Sequence, residues 1–92
     1  MSKVLHAAIK GRVQGVGYRA WTLGRARELG LLGWVRNRRD GSVEAVFKGD
    51  DDKVVRMLED CRRGPRSAVV SEVVATAAPD ESWPDFSVRP TA

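Results

Sequence analysis

The sequence is short of the residues that many enzyme and metal sites depend on. Its 92 residues hold one cysteine, Cys61, and one histidine, His6. One thiol forms no internal disulfide, and one Cys with one His cannot build a His/Cys zinc site. A Ser–His–Asp arrangement has only His6 to draw on, in the middle of an alternating apolar segment. No apolar run approaches the roughly 18 residues needed to span a bilayer. The opening apolar stretch is cut by His6 and Lys10 and does not read as a secretory signal. The expectation is a cytoplasmic chain with no cofactor and no metal. Any catalysis would have to work without imidazole, thiolate or metal ion.

Acidic residues are also scarce in one half. Through Arg39 the chain carries nine basic residues against one acid, Glu28; from Asp40 onward it carries seven basic against eleven acidic residues. The formal net charge is +4. A basic first half in a folded chain fits an anionic partner such as phosphate, nucleotide or nucleic acid. It fits equally a solvated surface that keeps the protein in solution. At 42% hydrophobic and 30% charged residues the composition is that of an ordinary folded chain. The length suits one domain, residues 1–92, with a single core.

The hydrophobic pattern gives an order of elements. Residues 3–10 alternate, with Leu5, Ala7 and Ile9 on one side, as a half-buried strand does. A glycine-rich turn follows. A helix is predicted from Arg19 to Leu29 on the spacing of Ala20, Leu23, Ala26 and Leu29, with Gly30 as its stop. Residues 31–37 predict a second strand, Arg38 to Gly41 a hairpin turn, and Ser42 to Lys48 a third strand with Val43, Ala45 and Phe47 on one face. After Gly49, Asp50, Asp51 and Asp52 place negative charge where a second helix begins. Its core spacing is Val54, Leu58 and Cys61. Residues 68–77 predict a fourth strand and 85–89 a short last one. The order βαββαβ predicts an α+β fold: a ferredoxin-like sandwich of one antiparallel sheet with two helices on one face.

Two segments stand out as candidate chemistry. The strand-to-helix loop Gly11-Arg12-Val13-Gln14-Gly15-Val16-Gly17-Tyr18-Arg19 can turn successive backbone N–H groups inward beside a helix N-terminus, a concavity that suits an oxyanion. Arg19 is the odd detail there, because a cation in the first helical turn opposes the macrodipole by a few tenths to about 1 kcal/mol. A bound phosphate reverses that sign, since a guanidinium forks onto two phosphate oxygens. The loop lacks the Lys-Ser/Thr of a Walker motif, so it does not indicate Mg²⁺-dependent nucleotide binding. The plain alternative is a βα turn with a solvated arginine. Asn37, at the end of the second strand, either starts the hairpin turn or uses its amide to position a water. His6 reads as a surface residue and Cys61 as a small buried hydrophobe.

The same residues carry a family resemblance. The segment from Gly11 to Arg19 resembles the first signature of the acylphosphatases. Gly33-Trp34-Val35-Arg36-Asn37, followed by Gly41, Val43 and Gly49, resembles their second, and Phe86-Ser87-Val88-Arg89 is similar to their last strand. The likeness runs from about residue 4 to residue 89. It implies hydrolysis of acyl phosphates. Arg19 would hold the phosphate, Asn37 would orient the attacking water, and the backbone of Val13, Gln14, Gly15, Val16, Gly17 and Tyr18 would form the cradle. The implied partners are a small-molecule acyl phosphate and inorganic phosphate, and the expected state is a free-standing monomer. Two rivals share the element order. A nucleic-acid-binding module would need exposed aromatics on its central strands, where the third strand offers only Phe47. A phosphate-sensing or carbamoyl-handling domain would bind without this turnover.

Overall fold

The computed structural model describes residues 2–92; Met1 lies outside the described residues. Strand β1 (Ser2–Arg12) leads through a loop to helix α1 (Tyr18–Glu28). Strands β2 (Leu32–Asn37) and β3 (Val43–Asp50) follow, then helix α2 (Asp51–Arg63), strand β4 (Val69–Ala77) and the short strand β5 (Phe86–Val88). The strands form one sheet in the order β4-β1-β3-β2-β5.

Strand alternation builds the core. Leu5, Ala7 and Ile9 of β1 pair with Phe47, Ala45 and Val43 of β3, all on the face that meets the helices. Ala7, Ile9, Val43, Ala45 and Phe47 are fully buried there. Phe47 stacks on Phe86 with ring centroids 5.5 Å apart, so the one aromatic of β3 is spent on the core and offers no surface platform. From the helices come Tyr18, Thr22 and Ala26 of α1 and Val54, Met57, Asp60 and Cys61 of α2.

Several expectations need correction. The sheet is mixed: β4 pairs antiparallel with β1 at one edge, but β5 pairs parallel with β2 at the other. The chain leaves β4 and crosses the end of the sheet before it enters β5, and this long return delivers β5 in the same direction as β2. On that crossing, Ala78, Pro79, Glu81 and Trp83 line a pocket together with His6, Trp34 and Val46 on the sheet face turned away from the helices. Helix α1 starts at Tyr18, and its inward stripe is Tyr18, Thr22 and Ala26; Ala20 is exposed, and Leu23 and Leu29 are half-buried against the core. Position 20 lies two residues from both Tyr18 and Thr22, on the far side of a 3.6-residue turn, and Tyr18 anchors the inward stripe by donating to the Cys61 carbonyl at 2.7 Å. On α2, Met57 takes the buried place next to Val54, and Leu58 is only half-buried. Strand β3 runs on to Asp50, which precedes α2.

The stop at Gly30 is as expected. Gly30 N–H returns to the Arg27 carbonyl and Leu31 N–H to the Ala26 carbonyl, which satisfies two carbonyls of the last turn. Gly33 is required for a different reason. A Cβ at its φ of 131° would lie 1.9 Å from the Val46 carbonyl oxygen on the neighbouring strand. Among the described residues no helix is long and apolar enough to cross a membrane.

Candidate active site

The register puts the end of β1, the start of α1 and the end of β2 at one end of the sheet. Ile9 of β1 and Asn37 of β2 both lie opposite Val43, just before the Arg12–Gly17 loop and the hairpin turn. Between them opens a cleft of about 370 Å³ lined by Val13, Gly15, Gly17, Tyr18, Arg19 and Asn37 with an apolar edge of Ala20, Leu23 and Val88.

The loop is shaped to leave its donors free. Gly17, at the N-cap of α1, takes φ 79°, a left-handed conformation that costs a glycine little, and it supplies no side chain to cap the helix. The first turn of α1 contains no acid. Among the described residues, no backbone acceptor takes an N–H between Val13 and Arg19; Trp21 N–H, bonded to the Gly17 carbonyl at 3.0 Å, begins the helical pattern. Free N–H groups at an uncapped helix start form a positive pole. Arg19 stands in that first turn, half-exposed, and has no carboxylate partner among the described residues. Two like potentials are thus brought together without a compensating anion of the protein's own.

Asn37 contributes the complementary feature. Its Oδ1 is buried and has no hydrogen-bond partner among the described residues. A buried amide oxygen normally finds a donor, and leaving it unpaired costs on the order of 1–3 kcal/mol. The backbone holds the residue firmly: Asn37 pairs with Val43 in the sheet, and its carbonyl accepts from Ala92 N–H at 3.1 Å.

Of the residues singled out in the sequence, Val13, Gly15, Gly17, Tyr18, Arg19 and Asn37 meet in the cleft, while Gln14 and Val16 do not line it. Val16 is half-buried against the core. Gln14 turns its side chain away toward the β2–β3 hairpin, where Nε2 donates to the carbonyls of Arg38 at 2.7 Å and Ser42 at 2.8 Å. The apolar edge of Ala20, Leu23 and Val88 was not singled out. In the sequence Ala20 and Leu23 read as positions of a helical spacing and Val88 as part of the last strand, and nothing marks them as one edge. His6 is not a bare surface residue either; it is half-buried and its Nε2 lies 2.7 Å from Glu44 Oε2. Cys61 is fully buried, and burial pushes its thiol up to about 12, which keeps it protonated and inert at neutral pH. Burial likewise raises the Tyr18 phenol far above its ordinary value, so it stays a hydrogen-bond donor. No group of three or more His, Cys, Asp or Glu side chains that could hold a metal ion occurs among the described residues.

Fold and cleft together define a class: a ferredoxin-like α/β sandwich with a glycine-turned amide loop and an arginine at a helix start. Comparison with known proteins narrows it. The acylphosphatase family model matches residues 5–88. An acylphosphatase of Rhodospirillum rubrum is 53% identical over 91 residues, covering 97% of this chain and 98% of its own. One from Acidiphilium cryptum is 50% identical over 86 residues, covering 94% of each. The solved structure of an acylphosphatase from Coxiella burnetii superposes with a TM-score of 0.92 at 38% identity, over 96% of this chain and 93% of that one. The chain belongs to the acylphosphatase family and is an enzyme of that family.

Proposed function

We propose that the protein hydrolyses the carboxyl–phosphate bond of small acyl phosphates, releasing a carboxylate and inorganic phosphate. Arg19 and the free N–H groups of the Val13–Tyr18 loop hold the phosphoryl group, and Asn37 Oδ1 accepts a hydrogen bond from the attacking water. The observation that supports this most is the pairing in one cleft of an uncapped, acid-free helix start bearing Arg19 with the unpartnered Oδ1 of Asn37. The first lacks an anion and the second lacks a donor. A phosphoryl group and its in-line water supply both.

Such a bare set of groups suffices because of the leaving group. An acyl phosphate expels a carboxylate whose conjugate acid has a pKa of roughly 4 to 5, so no general acid is needed at neutral pH. Charge in the transition state spreads over the phosphoryl oxygens, and catalysis is mainly positioning and electrostatic stabilisation. The water's proton passes to a phosphoryl oxygen of the substrate itself, since Cys61 is buried and His6 is engaged with Glu44 on the opposite face of the sheet. The water oxygen bonds to phosphorus as the P–O bond to the acyl oxygen breaks, and the bonding pair leaves with the carboxylate.

Alkyl phosphates expel an alkoxide and lie outside this chemistry. The test compares purified protein on benzoyl phosphate and on a simple alkyl phosphate, with EDTA present. Fast, EDTA-insensitive cleavage of benzoyl phosphate alone is the expected result. Equal rates on the two would contradict the account. No cleavage with retained phosphate binding would point to a sensor, and neither cleavage nor binding would overturn the proposed cradle as well.

A further inference from the structure

Gln14 sits in the loop, yet its side chain takes no part in lining the cleft. Its two contacts are both carbonyl oxygens, of Arg38 and Ser42. Only the NH₂ end of the amide can satisfy two acceptors, so both of its hydrogens are committed to the hairpin. These carbonyls bracket a turn that is braced from within. Arg38 N–H donates to the Ser42 carbonyl at 2.8 Å, and Ser42 N–H and Oγ donate to Asp40 Oδ1 at 2.9 and 2.6 Å. Asn37 is the residue immediately before this turn. On its other side the backbone of Ala92 grips the same unit, donating to the Asn37 carbonyl and accepting from Arg39 N–H at 3.0 Å.

From this geometry we infer that Gln14 is a positioning residue: its side chain fixes the distance between the amide loop that receives the phosphoryl group and the Asn37 amide that aims the water. The inference rests on the roles proposed above for the loop and for Asn37. Loop and hairpin are far apart in sequence, and Gln14 provides the side-chain hydrogen bonds that couple them directly. Loss of these bonds lets the two halves of the site drift by a fraction of an ångström, which phosphoryl binding tolerates and in-line attack does not.

The test is a double-mutant cycle with Gln14→Met and Asn37→Ala, reading kcat, the inhibition constant for inorganic phosphate and thermal stability. Methionine keeps the length of the side chain and removes both donors. The expected result is a kcat about 10- to 100-fold lower in Gln14→Met, with phosphate inhibition changed by less than about threefold. In the Asn37→Ala background the same change should cost less than about threefold further, because the group it positions is already gone. Equal losses of kcat in both backgrounds, or phosphate affinity falling in step with kcat, would overturn the inference while leaving Asn37 its role. Normal turnover in Asn37→Ala alone would overturn it by removing the role on which it rests. Should the methionine variant fail to fold, Gln14→Asn, which keeps the amide but is one methylene too short, carries the same cycle and the same outcomes.

Discussion

Glu44 shows how one residue can carry a measurable share of the fold. It stands on the sheet face away from the helices, with its side chain only 14% exposed, and it accepts from Arg36 at 2.7 Å, Arg38 at 3.2 Å and His6 at 2.7 Å. Burial alone would push its carboxyl up. The hydrogen bonds from His6, Arg36 and Arg38 outweigh that and hold it at about 2. A carboxyl held lower in the folded chain than in the unfolded one stabilises the fold above its unfolded value and loses that contribution as pH falls. The window therefore runs from about 4.5 down to about 2. Urea unfolding of the wild type should show a loss on the order of 2–3 kcal/mol across it, and Glu44→Gln should be weaker at pH 7 and flatter in acid. A variant as acid-sensitive as the wild type would assign the transition to other carboxylates.

At the scale of elements, strand pairing places the site and close approach constrains it. Gly33 allows β2 to lie against β3 where any side chain would strike the Val46 carbonyl. Gly33→Ala should cost about 2–4 kcal/mol, since strand separation or backbone strain must absorb the added atom. Chemical denaturation measures this, and a change below about 0.5 kcal/mol would show that the strands yield freely. Much of this level was legible in the sequence. Alternation in residues 3–10 and 43–47 marked the buried face correctly because a strand has a period of two. The direction of β5 was not legible, because a three-residue strand carries no mark of its neighbour. Nor was the guanidinium of Arg89 over the Trp34 ring, 4.8 Å from its centroid beside that of Arg36 at 4.7 Å, because its place depends on β5 arriving in parallel. The cleft was legible where the chemistry is local, as at Arg19 in a first helical turn. The side-chain bonds of Gln14 were not legible, because its acceptors are main-chain atoms 24 and 28 residues away and carbonyls leave no signature in side-chain identity.

Over the whole molecule the uneven charge of the sequence becomes an uneven charge in space. Lys10, Arg12, Arg19, Arg38 and Arg39 fall on the elements and turns at the cleft end, whereas Asp50, Asp51 and Asp52 lie at the far end, where Ser2 pairs with Asp50. Such a field draws anionic substrates toward the cleft and is screened by salt within about 10 Å at 0.1 M. For a benzoyl phosphate dianion kcat/KM should therefore fall several-fold between about 20 and 500 mM NaCl. Arg39→Gln should blunt that dependence without altering kcat at saturation, and a salt response unchanged by that substitution would place the steering charge elsewhere.

The central claim is a division of labour, in which Arg19 holds the phosphoryl group and Asn37 places the water. It is tested most directly by measuring kcat on benzoyl phosphate and inhibition by inorganic phosphate in Arg19→Ala and Asn37→Ala side by side. The account predicts that Arg19→Ala loses both, with turnover down by more than about 10²–10³-fold. It predicts that Asn37→Ala keeps phosphate inhibition and loses turnover alone. Retained phosphate inhibition in Arg19→Ala, or normal turnover in Asn37→Ala, would contradict it.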